Sequence, residues 1–277
     1  RAVVAAGRIN EVLETKSSIE YPETNQAKPT EKGSVEFDNV SFRYSKNSEA
    51  VLEHVSFKAK AGDTIAFIGS TGSGKSTLVN LIPRFYDASK GSVTFAGTNV
   101  KDWSLDKLRS EIALVPQTAV LFSGTIRENL QWGKTDATDL ECWEALRIAQ
   151  ASEFVESLPQ GLDTLILENG KNFSGGQRQR LTIARALIRK PKLLILDDSL
   201  SALDYQTDLE LRQALKRDLD CGVIIISQRL RSIQEAETIL LMENGKIAAQ
   251  GNHAALLKNS PLYQELVHSQ AEGGVAE

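Results

Sequence analysis

A glycine-rich loop between an apolar strand and an amphipathic helix constrains the fold of this chain more than any other feature. The loop reads GSTGSGKST (residues 69–77), and it matches the pattern G-x-x-x-x-G-K-[ST] through Gly69, Gly74, Lys75 and Ser76. Glycines allow backbone N–H groups to curl around phosphate oxygens, and the helix that follows directs its positive end at them. The pattern therefore predicts a phosphate-binding loop. A glycine-rich turn that matches by chance is the alternative, expected in on the order of one chain in a hundred of this length.

The residues of this loop have different expected roles. Lys75 would reach the β- and γ-phosphates, and the Ser76 hydroxyl would ligate Mg²⁺. A carboxylate is needed to complete the metal shell, and Asp197 follows the apolar run LLIL at the end of another predicted strand. We therefore predict Ser76 and Asp197 as metal ligands. We predict nucleotide contacts from the whole loop: Gly69, Ser70, Thr71, Gly72, Ser73, Gly74, Lys75, Ser76 and Thr77.

Apolar runs of strand length indicate an α/β core. DTIAFIG, LLILD and GVIIIS are continuous runs, which is typical of parallel strands buried on both faces, and helical patterns separate them. VEFDNVSFRY and VLEHVSFKA instead alternate apolar and polar residues, so we predict antiparallel strands there. Between Thr118 and Phe173 the pattern is mainly helical, which indicates an insertion into the α/β part.

The same patterns divide the chain into segments. Residues 1–33 combine an amphipathic helix, RAVVAAGRINEVLETK, with a polar linker that contains prolines. A compact domain is expected over 34–270, followed by a disordered tail, 271–277. Within the domain we predict the α/β core with its antiparallel strands over 34–117 and about 180–250, a helical subdomain over about 118–179, and C-terminal helices over 251–270.

Charge and cysteine usage exclude several classes of function. A net charge of −4 gives no general electrostatic reason to bind nucleic acid or an anionic membrane. Cys142 and Cys221 are too few and too far apart for a disulfide framework and lack metal-ligand spacing, so we expect two packed free thiols. No apolar run approaches the roughly 18 residues that span a bilayer.

The segment NFSGGQRQRLTIARAL (residues 172–187) resembles the signature segment of ATP-binding cassette (ABC) proteins. The resemblance extends from about Arg1 to Gln270, and it implies a P-loop NTPase (RecA-like) α/β core with an antiparallel β subdomain and an inserted α-helical subdomain. LFSGTIRENL and NSPLYQELVHSQ resemble the exporter branch of the family. The opening helix resembles the end of the last transmembrane helix that precedes the nucleotide-binding domain in such exporters.

The resemblance also implies roles for single residues. Tyr44 occupies the place of the aromatic that stacks on adenine. Gln117 matches the glutamine that links the γ-phosphate site to the helical subdomain, so the resemblance implies Gln117 as a nucleotide contact and as a third metal ligand. The segment SALD, which ends at Asp204, matches the D-loop. Ser174 is also a plausible N-cap, and a helix start that only caps itself is the alternative reading. In the family this helix start binds the γ-phosphate of ATP held by another domain, so the contacts implied in trans are Ser174, Gly175, Gly176, Gln177 and Asp204.

These implications define the expected cofactors and partners. The cofactors are ATP and Mg²⁺, and the activity is ATP hydrolysis coupled to transport. The partners are a second nucleotide-binding domain, bound head to tail, and the transmembrane domain of an exporter, so the chain is expected at the cytoplasmic face of the cell membrane. ABC ATPases of DNA repair and chromosome structure usually carry a long coiled coil between the two motifs, whereas here only about a hundred residues separate Gly69 from Ser174. We therefore predict no nucleic acid partner.

The expected catalytic residues are Lys75, Asp198 and Gln228. Lys75 fits the family pattern, whereas Asp198 and Gln228 depart from it. The residue after the metal-binding aspartate is usually glutamate, but here it is Asp198, whose side chain is one methylene shorter. Gln228 replaces the usual histidine, and an amide cannot carry a proton or a positive charge. Both changes predict slow hydrolysis, as in the degenerate half of a heterodimeric bacterial multidrug exporter. A catalytically adequate homodimer and a non-hydrolysing nucleotide clamp are the alternatives.

Overall fold

The computed structural model describes residues 2–15, 17 and 19–273, and the elements below belong to these residues. The strands are β1 (Val35–Phe42), β2 (Leu52–Ala59), β3 (Thr64–Ile68), β4 (Lys90–Phe95), β5 (Thr98–Asn99), β6 (Ile112–Val115), β7 (Gly124–Thr125), β8 (Leu165–Ile166), β9 (Leu193–Asp197), β10 (Gly222–Ile226), β11 (Thr238–Glu243) and β12 (Lys246–Gly251). The helices are α1 (Ala2–Glu14), α2 (Lys75–Asn80), α3 (Leu105–Glu111), α4 (Ile126–Gln131), α5 (Asp139–Ile148), α6 (Ser152–Glu156), α7 (Gly175–Leu187), α8 (Tyr205–Asp218), α9 (His253–Asn259) and α10 (Pro261–Gly273).

A mostly parallel sheet forms the centre of the molecule, in the order β12-β11-β3-β10-β9-β6. Five of these strands run parallel, and β12 pairs antiparallel with β11 at one edge. The three apolar runs predicted as parallel strands are β3, β10 and β9, which lie side by side, so that prediction is confirmed. Nearly all their residues are buried, as expected of strands covered on both faces.

A second, antiparallel sheet packs against the first. Its order is β2-β1-β4-β5, and the predicted pairing of β1 with β2 is confirmed. Phe37 on β1 lies opposite Phe57 on β2 and stacks on it at 4.7 Å between ring centroids. Phe57 in turn meets Phe67 of β3 edge-on at 5.3 Å, so one apolar cluster joins the two sheets. Gly74 of the glycine-rich loop approaches both sheets, since a Cβ there would lie 2.8 Å from Leu52 Cδ2 of β2 and 3.6 Å from Met242 Cε of β11.

The segment predicted to be mainly helical contains α4, α5 and α6, together with the short antiparallel pair of β7 and β8. Helices α4 and α5 pack against α7, which also contacts β6 of the central sheet. The boundary expected at residue 179 falls inside α7, which continues unbroken to Leu187. The helical part is therefore joined to the sheet by a continuous helix. Cys142 and Cys221 are both buried and free, as predicted.

The two ends of the chain differ from the sequence expectations in detail. The opening helix is present as α1, while Arg1 and Lys16 lie outside the described residues. The linker that follows has no regular structure, yet it is fixed along the antiparallel sheet, because Thr30 N–H donates to the Ala96 carbonyl (2.9 Å). At the other end α10 continues to Gly273, so residues 271–273 are helical rather than part of a disordered tail, and 274–277 lie outside the described residues. In the part of the chain that the structure describes, no helix combines the length and apolarity that crossing a membrane requires.

Candidate functional site

The glycine-rich loop joins β3 to α2 and lies against the backbone of β11. Gly69 has a left-handed φ of 153°, and a Cβ at this position would lie only 2.1 Å from the Met242 carbonyl oxygen. Gly245 N–H donates to the Ser73 carbonyl at 3.2 Å and fixes the other side of the loop. A side chain at position 69 would therefore push the loop away from the sheet.

Lys75 is buried at the start of α2, inside this loop. Its ammonium donates to the carbonyls of Gly69 (2.8 Å) and Ser70 (2.7 Å) and to the Ser73 hydroxyl (3.1 Å). Burial lowers the pKa of Lys75, while the negative charges of Asp197 and Asp198 oppose that shift. The loop thus surrounds a cation whose present partners are all neutral oxygens, a chemistry suited to phosphate oxygens.

Ser76 and Asp197 meet at the carboxyl ends of the parallel strands. The Ser76 hydroxyl donates to Oδ1 of Asp197 at 3.0 Å, although the two residues are far apart in the chain. Burial raises the pKa of Asp197, the Ser76 hydrogen bond lowers it, and the neighbouring Asp198 raises it further. Mg²⁺ prefers hard oxygen ligands and usually takes one or two carboxylates plus water and phosphate oxygens. The donor set of Ser76 and Asp197 fits that preference, so these two residues would hold the metal.

Asp198 directly follows β9 and has an unusual backbone conformation. Its φ is 49°, in the left-handed region, and its N–H donates to the Ile226 carbonyl at 2.9 Å. Its Oδ2 accepts a hydrogen bond from Nε2 of Gln117 at 3.0 Å. Burial raises the pKa of Asp198, and the charges of Arg229 and Lys75 oppose this. The second carboxylate is therefore held by its backbone and by one amide partner.

Gln117 connects this carboxylate to the helical part of the molecule. It lies just after β6, and the carbonyl of the preceding Pro116 accepts a hydrogen bond from the buried Gln179 of α7 at 3.5 Å. Arg185 of α7 also donates to the Val120 carbonyl at 2.8 Å, so α7 contacts the loop that carries Gln117 at two points. The role of Gln117 as a metal ligand stays a prediction.

Gln228 lies just after β10 and faces the glycine-rich loop. Its Nε2 is 3.5 Å from the Thr71 hydroxyl, at the limit of a hydrogen bond. The adjacent Arg229, which we did not predict as a site residue, donates to the Leu203 carbonyl at 3.2 Å and so ties this loop to the predicted D-loop. The sequence did contain a signal for Arg229, because its positive charge lies next to Gln228, which was a predicted site residue. The carboxyl ends of the strands thus bring together the loop, which contains Lys75, and four further predicted residues: Gln117, Asp197, Asp198 and Gln228.

Tyr44 provides an aromatic surface beside α2. Its hydroxyl shares a hydrogen bond with Thr77 Oγ1 at 2.9 Å, and its ring is 54% exposed. Phe42 and Tyr86 meet the ring edge-on at 4.9 and 5.2 Å between centroids. These edge contacts orient Tyr44 while leaving part of its ring accessible. Tyr86 was not predicted, and no spacing in the sequence relates it to Tyr44.

The predicted signature residues form a separate helix start. Ser174 and Gln177 make a capping box at α7, with Gln177 N–H donating to Ser174 Oγ (3.2 Å) and Ser174 N–H to Gln177 Oε1 (2.9 Å). Gly176 approaches the predicted D-loop closely, since a Cβ there would lie 3.2 Å from the Ala202 carbonyl oxygen. Asp204 caps α8 by accepting from Thr207 N–H at 3.0 Å. Within residues 19–273, no hydrogen bond or ion pair joins positions 174–177 to the glycine-rich loop.

Known proteins of similar sequence show which family has this arrangement of motifs. The family model described as ABC transporter matches residues 52–201, more than half of the chain. The ABC transporter ATP-binding protein YfiB of Bacillus subtilis is 45% identical over 270 residues, which cover 98% of this chain and 47% of that protein. The ATP-dependent lipid A-core flippase of Haemophilus influenzae is 44% identical over 252 residues, 90% of this chain and 43% of the flippase.

A solved structure gives the same result for the fold. A bacterial Atm1-family ABC exporter with ATP bound superimposes with a TM-score of 0.91 and 33% identity, covering 97% of this chain and 47% of the exporter chain. The chain thus spans about half the length of the curated relatives it matches. Since the matched region contains the glycine-rich loop, the signature helix and both aspartates, this chain belongs to the ABC transporter family.

Proposed function

We propose that this chain is the ATP-binding motor domain of an ABC exporter, located at the cytoplasmic face of a membrane. The observation that carries the proposal is the contact of Ser76 with Asp197 at 3.0 Å, because it joins a phosphate-binding loop to a metal-binding carboxylate beside the Lys75 ammonium. ATP would bind along the loop with Tyr44 against its adenine. Mg²⁺ would neutralise the phosphate charge that develops during hydrolysis.

The separation of the two motifs supports a head-to-tail dimer. Ser174 is exposed at the start of α7, and within the described residues it makes no hydrogen bond to the glycine-rich loop of its own chain. A helix start with free N–H groups and close-approaching glycines is suited to bind an anion from another molecule. The signature would then complete the ATP site of a second nucleotide-binding domain.

The chemistry of the second carboxylate supports slow hydrolysis at this chain's own site. Phosphoryl transfer depends mainly on positioning and electrostatics, and a displacement of about 1 Å costs about 10²-fold in rate. Asp198 reaches less far than glutamate, and Gln228 offers a hydrogen bond but no charge. The partner is therefore proposed to be a different chain with glutamate and histidine at these positions, as in a heterodimeric multidrug exporter. The flippases among the relatives make a lipid the alternative cargo.

An exposed aromatic pair supports a docking surface for the transmembrane domain. Phe122 and Trp132 stack at 4.7 Å between centroids, and Trp132 is 70% exposed. Arg185 of α7 lies over the Phe122 ring and donates to the Val120 carbonyl at 2.8 Å. The pair therefore lies close to both the signature helix and the loop that carries Gln117. Contact there would connect a membrane partner to the nucleotide site.

Nucleotide binding and turnover by the purified chain test this function. We expect Mg²⁺-dependent ATP binding that Lys75→Ala abolishes, with slow turnover, and we expect Asp198→Glu combined with Gln228→His to raise kcat by up to about 10²-fold. Asp220→Glu combined with Gln234→His makes the same chemical changes at exposed positions and serves as the control. Rapid turnover by the unaltered chain alone would contradict the degenerate site and favour a symmetric homodimer. ATP that stays unhydrolysed through many turnovers of the assembled complex would instead favour a nucleotide clamp.

A further inference from the structure

The C-terminal helix reaches back to the loop that carries Gln228. Nε2 of Gln270, near the end of α10, donates to the Gln228 carbonyl at 2.6 Å. Oε1 of the same side chain accepts from Leu230 N–H at 2.8 Å. A single amide thus binds the backbone on both sides of Arg229.

The backbone N–H groups of Ser227 and Arg229 in this loop have other partners, which lie in the sheet and in the loop itself. Ser227 N–H donates to the Phe67 carbonyl of β3 at 3.2 Å, and Arg229 N–H donates to the Ser227 hydroxyl at 3.0 Å. Neither of these bonds involves the carbonyl of Gln228 or the N–H of Leu230. Gln270 therefore supplies the bonds to these two groups, beside the Arg229 side chain that ties the same segment to the Leu203 carbonyl.

The helix that presents Gln270 is firmly attached to the core. Leu262 and Leu266 pack against the main apolar cluster, and Tyr263 is completely buried. The Tyr263 hydroxyl shares a hydrogen bond with His253 of α9 at 2.9 Å. An amide on such a helix has a defined position, so its bonds can hold a loop in one conformation.

We propose that Gln270 is a positioning residue for position 228. By fixing the peptide groups of Gln228 and Leu230, it keeps the side chain at position 228 facing Thr71 and the phosphate-binding loop. This inference rests on the proposed role of Gln228 in hydrolysis. It also connects the C-terminal helices to the nucleotide site.

Amide exchange and steady-state kinetics test the inference together. Hydrogen exchange at the Leu230 amide would be followed by NMR, and kcat and KM for ATP would be measured. Both measurements would use the 277-residue chain and its more active Asp198→Glu/Gln228→His form. In Gln270→Ala, Leu230 exchange is expected to rise and kcat of the more active form to fall, each roughly three- to tenfold, with KM within about twofold. Gln270→Glu keeps the acceptor for Leu230 N–H but loses the donor to Gln228, so its Leu230 exchange should stay unchanged while kcat falls.

Gln264→Ala is the matched control, because Gln264 lies on the same helix and donates to the Leu257 carbonyl at 2.6 Å, away from the loop. It should change neither Leu230 exchange nor kcat. Equal Leu230 exchange in Gln270→Ala and Gln264→Ala would overturn the proposal, as would raised exchange with a kcat equal to that of the control. If neither form of the chain hydrolyses ATP, the proposed function fails, whereas the exchange comparison still supports or overturns the two bonds of Gln270.

Discussion

At the residue scale, Asp197 and Asp198 are neighbours in the chain but have different surroundings. Asp197 ends β9 and accepts from Ser76, while Asp198 has a left-handed backbone and accepts from Gln117. Aspartate and asparagine tolerate the left-handed region better than longer side chains. The short side chain at position 198 therefore suits the local backbone, even though it reaches less far than glutamate.

This conformation predicts a conflict between stability and activity at position 198. Asp198→Glu is expected to lower the free energy of unfolding by about 1 kcal/mol, because glutamate tolerates positive φ less well, while it raises kcat in the Gln228→His background. Asp198→Asn keeps a residue suited to this backbone and should leave stability nearly unchanged while it removes the residual hydrolysis. Thermal unfolding and ATP turnover of the variants measure both effects. If the glutamate variant and the unaltered chain had the same free energy of unfolding, the left-handed φ at position 198 would not favour aspartate over glutamate.

At the element scale, side-chain capping defines where several helices begin. Capping boxes start α4 at Thr125, α5 at Thr138 and α7 at Ser174. Each follows the spacing [ST]-x-x-[EQ], so the sequence contains the signal for all three starts. α3 differs, because Ser104 lies at its N-cap but makes no side-chain capping bond. Capping bonds at the helix starts therefore stabilise the helical part of the molecule in addition to its apolar core.

The capping difference predicts unequal effects of two similar substitutions. Thr138→Ala removes an acceptor for Glu141 N–H and is expected to lower the free energy of unfolding by about 1 kcal/mol. Ser104→Ala removes no capping bond, so its effect should stay within about 0.5 kcal/mol. Urea denaturation of both variants makes the comparison. If the two variants lost the same stability, the capping bond of α5 would contribute nothing.

At the scale of the whole molecule, the nucleotide site is assembled from the carboxyl ends of parallel strands. β3 leads into the glycine-rich loop, β9 ends at Asp197, and β10 lies between them and leads to Gln228. This is where ligands bind in open parallel sheets. The start of the signature helix and the exposed aromatic pair are not among the residues that meet at these strand ends, and we propose both as surfaces that contact other domains.

The exposed aromatic pair yields a prediction for the assembled transporter. Trp132→Ala should weaken association of the chain with the transmembrane domain by roughly 30-fold, because exposed tryptophans at interfaces typically contribute about 2 kcal/mol or more. ATP affinity of the isolated chain should not change, since Trp132 lies outside the nucleotide site. Leu140→Ala, which alters another exposed apolar residue (79% exposed) of the helical part, is the control. If both variants bound the transmembrane domain with the same affinity, Trp132 would not be part of the docking surface.

Local patterns were sufficient for a large part of the fold and of the site. The glycine-rich loop and the apolar runs that became β3, β9 and β10 were readable because each depends on residues that are contiguous in the chain. β6 and β11 were not identified, since apolar runs of about four residues suit a buried helix as well as a strand. The linker before β1 was recognised as irregular, but its attachment through Thr30 was not, because that bond uses only backbone groups.

The sequence by itself indicated the chemistry that we propose for this protein: which residues would bind phosphate, which carboxylate follows the buried strand, and which two positions depart from the family pattern. These properties depend on residue type and spacing along a few contiguous segments. Only the tertiary structure decided other meetings across the chain, including Gln117 with Asp198 and Gln270 with the backbone of Gln228. Such pairs depend on strand order and on the docking of α10, and backbone partners carry no residue-specific signal that a sequence could display.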